Sequence, residues 1–116
     1  MQKSLEKIKK QLDSTENILS VLQCSFDLYV NQNSSRPGIL VATERRMIFY
    51  GPPLLNFKNE MVEEFLYEKI SSFTLKKSIF GIRIRMEYNE EYLKFNKITN
   101  TYATTFVETV NTLRKK

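Results

Sequence analysis

Residues 38–51, Gly38-Ile39-Leu40-Val41-Ala42-Thr43-Glu44-Arg45-Arg46-Met47-Ile48-Phe49-Tyr50-Gly51, carry the clearest architectural signal in the chain. Ile39 to Thr43 and Met47 to Tyr50 are β-rich runs, and the charged Glu44-Arg45-Arg46 between them is short. The pattern predicts two strands joined by a tight hairpin. Gly51-Pro52-Pro53 ends the second strand, since proline has no N–H for the ladder and glycine permits a turn.

Upstream, Leu22, Cys24, Phe26, Leu28 and Val30 alternate with Gln23, Ser25, Asp27 and Tyr29, which predicts a half-buried strand over 22–30. Ile18, Leu22 and Phe26 also fit a helix face, so the start of that strand stays open. Asn31 to Gly38 reads as a polar turn. Downstream, Leu54 to Glu60 reads as a connection whose Leu54, Leu55 and Phe57 form a candidate contact patch. Further strands are expected over 62–67, 70–75, 80–88 and 92–95. In the third of these, Phe80, Ile82, Ile84, Met86 and Tyr88 alternate with Gly81, Arg83, Arg85 and Glu87, so the outer face is basic. Asn89-Glu90 supplies the turn to its neighbour.

Leu5, Ile8 and Leu12, spaced helically among Lys and Glu, predict a short amphipathic helix over 3–12 that Asp13 to Asn17 interrupts. It is shorter than the ~12–15 residues an isolated helix needs, so it must dock on the domain or on a second copy of itself. Tyr102, Ala103, Phe106, Val110 and Leu113 predict a C-terminal amphipathic helix, with Asn100 as N-cap and Arg114-Lys115-Lys116 at the negative end of its dipole. The sum is a mainly β fold: a seven-stranded antiparallel barrel or bent sandwich capped by a C-terminal helix, with a short N-terminal helix.

A chain of 116 residues, 41% hydrophobic and 27% charged, suits one core. Its apolar runs fall far short of the roughly 20 residues a membrane-spanning helix needs. The lysines at 3, 7, 9 and 10 are not followed by an apolar block and cleavage site, so no secretory signal is expected. The single Cys24 has no internal disulfide partner and fits a reducing compartment, with cytoplasm as the default. There is no histidine, which removes the commonest general base and transition-metal ligand. The three glycines at 38, 51 and 81 make no phosphate-cradling loop. Glu63-Glu64 and Glu90-Glu91 are strand neighbours whose side chains diverge. No enzyme, cofactor or metal is expected.

Against this pattern the sequence resembles bacterial pleckstrin-homology-like domains of the YokE type. Gly38 to Gly51 is similar to that family's glycine, apolar strand, threonine, basic hairpin and second apolar strand. Glu64-Phe65-Leu66-Tyr67-Glu68-Lys69-Ile70-Ser71-Ser72-Phe73 is similar to its strand, tyrosine, isoleucine and paired serines. The resemblance covers about residues 17–114 and implies two nearly orthogonal sheets with a capping C-terminal helix. It divides the chain into an N-terminal helical extension, 1–16, and a PH-like domain, 17–116. Eukaryotic relatives that bind phosphoinositides use a basic cluster in and beside the first hairpin loop; here Asn31 to Gly38 holds only Arg36.

The resemblance implies a binding module. The leading expectation is protein–protein interaction or self-assembly, with Leu5, Ile8 and Leu12 as candidate partner surface and exposed sheet edges as further acceptors. The alternative is weak association with anionic membrane through Lys76, Lys77, Arg83 and Arg85 on one predicted hairpin. The net charge of +5 also admits nucleic acid, which ranks third because no exposed face interleaves aromatic and basic residues. Arg45 and Arg46 read as charges that solvate their turn.

Overall fold

The computed structural model describes residues 2–27, 35–54, 58–79, 81–98 and 102–115. In chain order these form α1 (Gln2–Lys9), β1 (Ile18–Asp27), β2 (Ser35–Thr43), β3 (Arg46–Gly51) and β4 (Met61–Leu66). A single 3-10 turn (Tyr67–Lys69) leads into β5 (Ile70–Ser78), β6 (Gly81–Tyr88), β7 (Glu91–Asn96) and α2 (Ala103–Leu113). The strands pair antiparallel in the order β4-β3-β2-β1-β7-β6-β5. β1 runs beside β2 along its whole length but meets β7 only at Ser25–Asn96 and Phe26–Phe95. The sheet turns its corner there, and its halves close on a shared interior.

Aromatic rings knit that interior. Phe26 lies 5.0 Å from Phe95 and 5.4 Å from Phe49 between centroids, and Phe65 lies 6.2 Å from Phe95. The alternation that predicts β1 holds, with Leu22, Cys24 and Phe26 all buried. Burial pushes the Cys24 thiol up to about 12, so it packs as a small hydrophobe. α2 seals the core with Ala103, Phe106, Val107 and Val110, and Asn111 Nδ2 donates to the Phe73 carbonyl at 3.0 Å.

A second core sits on the outside of β2 and β3. Ile39, Val41, Ile48 and Tyr50 project away from the interior and are buried under Ile8 of α1, with Leu5, Leu12, Ile18 and Val21 around them. α1 therefore docks on its own sheet.

Several boundaries move. α1 ends at Lys9, three residues before the expected end, because the chain tightens: Gln11 N–H bonds the Ile8 carbonyl at 2.8 Å and the Gln11 carbonyl accepts from Arg46. β1 begins at Ile18, four residues early, since β2 is long enough to pair with it. β2 in turn absorbs Ser35, Arg36, Pro37 and Gly38 from the expected turn; at Pro37 only β1 is paired alongside, a position where proline is tolerated. The Asn89-Glu90 turn forms with positive φ at both residues, 52° and 72°. Leu28, Tyr29, Val30, Leu55, Phe57, Phe80 and the expected cap Asn100 lie outside the described residues.

The second core makes α1 part of the fold's stability. Ile8→Ala should lower unfolding free energy by about 2–4 kcal/mol, and removal of residues 1–12 should yield an aggregating protein. Urea melts check the first, and light scattering the second.

Candidate functional site

The outer face of β5, β6 and β7 collects positive charge. Register pairs Lys76 with Arg83, Thr74 with Arg85, and Arg85 with Lys94, so Lys76, Arg83, Arg85 and Lys94 share one face of three adjacent strands. Strand spacing near 4.8 Å and a two-residue rise near 7 Å bring them within reach of one ligand. Among the described residues none of the four has an ion-pair partner; the ion pairs found involve Arg45 and Arg46. Like charges directly opposite one another are unfavourable, and this arrangement has two such pairs. With Ser78 they line a shallow recess of about 370 Å³. At the opposite end of the same face stands Glu87, opposite Tyr92, with Glu90 in the turn beyond it; Glu91, paired with Tyr88, points to the other side. The face is thus basic toward the β5–β6 hairpin and acidic toward the β6–β7 turn.

Of the four expected contacts, the structure brings together Lys76, Arg83 and Arg85. Lys77 pairs with Ile82 and points to the other side of the sheet. Lys94 is a member that sequence reading missed, although Leu93 and Phe95, both inward, would have pointed it out across from Arg85. Tyr92 was missed too. It is half exposed on this face with the Arg85 guanidinium 4.2 Å above its ring. An aromatic does therefore lie among the cations, contrary to the sequence expectation; with Arg85 covering one ring face, it is a single, partly occupied platform.

The apolar stripe of the N-terminal segment is spent differently. Ile8 has no exposed surface, and Leu5 and Leu12 pack half-buried around it. Leu5 and Leu12 border an open recess of about 610 Å³ with Lys9, Asp13, Glu16, Ile18 and Val21. Leu54 is partly exposed, beside Ser4, Ile39 and Pro52.

The family model described as "Bacterial PH domain" matches residues 12–112. The chain belongs to the bacterial PH domain family. A search of the curated proteins finds no significant match. Among solved structures, the C-terminal domain of an unknown protein from Leishmania infantum superposes with a TM-score of 0.69 at 14% identity, over 99% of this chain and 94% of that one. A DUF1696 family protein with a pleckstrin-homology domain from Shewanella loihica gives 0.69 at 11%, over 97% and 92%. The hSac2 domain of the human phosphoinositide phosphatase Sac2 gives 0.62 at 9%, over 98% and 79%. At these identities the likeness is one of fold.

In this bacterial PH domain the motif residues Thr43, Arg46 and Tyr67 meet at one point, with Glu16. The Thr43 hydroxyl accepts from the Arg45 and Arg46 N–H groups, both at 3.1 Å, which shapes the turn, and donates to Glu16 Oε2 at 2.6 Å. Arg46 grips both Glu16 oxygens, at 3.0 and 2.9 Å, and reaches Glu64 on β4. Tyr67 donates to the Thr43 carbonyl at 2.6 Å. Arg45 meets Asp13 at 2.6 Å and Thr15, while Glu44 accepts from the Asn17 N–H at 2.9 Å. The hairpin turn is a clamp on the segment joining α1 to β1, and its arginines hold that segment more than they solvate the turn. Arg36, the one cation of the first hairpin region, is likewise committed. It is buried, and its Nη2 donates to the carbonyls of Gly51, Pro52 and Asn59.

The Arg46 guanidinium holds the Glu16 carboxyl down to about 2, assisted by Thr43 and outweighing the opposing effect of burial. The folded value lies below the ordinary 4.5, so as pH falls the unfolded chain takes up the proton first. The pair's contribution is complete above 4.5 and drains between 4.5 and 2. It amounts to on the order of 3 kcal/mol. Glu16→Gln should melt lower than wild type near neutral pH and show a flatter acid limb. Thermal melts across that pH range check both.

Proposed function

We propose that this chain is a non-enzymatic binding module that adheres weakly to anionic membrane through the outer face of β5, β6 and β7. PH-like domains generally serve as protein- or lipid-binding modules. The observation that carries the reading is the convergence of Lys76, Arg83, Arg85 and Lys94 on one face without acidic partners among the described residues. Each basic residue near an anionic surface contributes about 1 kcal/mol, so four supply an affinity near 1 mM. Such binding is additive with charge and needs no pocket, which suits a shallow recess. A cytoplasmic location goes with this reading, since the cytoplasmic leaflet is the anionic one.

Sedimentation with vesicles of increasing phosphatidylglycerol content tests it. Binding should rise with anionic content, and Arg83→Gln with Arg85→Gln should weaken it about 30-fold. The same charge loss at Lys3 and Lys7 on α1 should leave it within about twofold. Equal weakening by both pairs, or tighter binding to a single-stranded oligonucleotide than to vesicles, overturns the reading.

A protein partner is the second reading, favoured by the sheet edge at β4. β4 ends the strand order, and Val62 on it is partly exposed. Self-pairing there predicts a mass in light scattering that grows with concentration and reverts on Val62→Lys; a monomer throughout removes it.

A further inference from the structure

At the tip of the β5–β6 hairpin the chain turns between the paired Ser78 and Gly81, and Ile79 stands there 93% exposed. Among the described residues the other large exposed aliphatic side chains, Leu19, Leu54 and Val62, keep half or more of their surface covered. Turn chemistry does not account for Ile79. Short hairpin loops favour Asn, Asp and Gly; Ile79 takes no positive φ, so the turn accommodates it without gaining from it. Gly81, at φ +121°, meets the turn's conformational demand instead, and Ser78 Oγ donates to its carbonyl. Nor does the core use Ile79, since its side chain touches none. An isoleucine left almost wholly in water at a hairpin tip contributes nothing to the fold and is free to contribute to a contact.

We infer that Ile79 is a membrane-inserting tip, which enters the interfacial region of an anionic bilayer while the surrounding cations engage the headgroups. The inference rests on the anionic-membrane reading above and deepens it by fixing the pose. Charge complementarity selects the occupant. Lys76 and Arg83 form one rung near the tip and Lys77 flanks it from the other side of the sheet, while Glu87 stands at the far end of the face with Glu90 in the turn beyond it. Such a dipolar face presents its basic end, and so Ile79, to a negative surface. Soluble polyanions satisfy the same cations but offer an isoleucine nothing; a bilayer also takes the apolar side chain out of water. Removing it from water strengthens binding about tenfold to a hundredfold over charge alone.

The test uses the full chain with Ile79→Cys carrying an environment-sensitive fluorophore. Cys24 is buried with its thiol pushed up to about 12, so labelling falls on position 79. Phosphatidylglycerol vesicles should shift the emission to the blue, whereas phosphatidylcholine vesicles and inorganic polyphosphate should not. Unlabelled Ile79→Ser should bind anionic vesicles at least tenfold more weakly and polyphosphate as wild type does. Because position 79 is exposed and makes no core contact, both variants should melt as wild type does. If Ile79→Ser sediments with anionic vesicles as well as wild type, or the label stays in water while the protein binds, the insertion is wrong and the electrostatic reading stands. If wild type fails to sediment with anionic vesicles at all, both fall.

Discussion

The β2–β3 hairpin is buried on both faces, and the rest of the molecule is arranged around that demand. Leu40, Ala42, Met47 and Phe49 face the interior, while Ile39, Val41, Ile48 and Tyr50 face outward and are as thoroughly withdrawn from water. A strand pair apolar on both sides needs two covers. β5, β6, β7 and α2 complete the core on one side; α1 lies over the other. Gly38 belongs to the same packing, because a Cβ there would run into the Tyr50 carbonyl and the Phe49 ring. Covering the outer face in turn requires the chain between α1 and β1 to follow one path, and the clamp at Thr43 to Arg46 imposes it. The buried Glu16 carboxylate is affordable there only because Arg46, Thr43 and the Asp13 N–H all meet it.

This arrangement separates a closed half of the molecule from an open one. β2 and β3 have no face left for a partner, and the cations nearest to them, Arg36, Arg45 and Arg46, are spent on carbonyls and carboxylates of the chain itself. β5, β6 and β7 are covered only on the inside. Their outer face keeps four cations, a half-exposed tyrosine and a hairpin with an isoleucine at its end. The surface available to function is what packing did not consume.

Much of the architecture was legible because strand alternation is a local property. Leu22, Cys24 and Phe26, or Ile84 and Met86, declare their inward face by period alone. The basic face was legible for the same reason in Arg83 and Arg85. Lys77 was misplaced and Lys94 missed because membership of a face depends on cross-strand register, which fixes which residue lies opposite which. The reach of α1 was overestimated because its end is decided by Arg46, a residue 35 positions away from Gln11.

From the amino-acid order alone came the strand count, the β2–β3 and β6–β7 turns, the two amphipathic helices and the lack of histidine, since each is set by near neighbours or by composition. Tertiary structure decided which side of the hairpin α1 covers, that the motif's Thr43, Arg46 and Tyr67 bind the chain itself, and which cations share a surface. Those are contacts between residues far apart in sequence, and only the closing of the sheet brings them together.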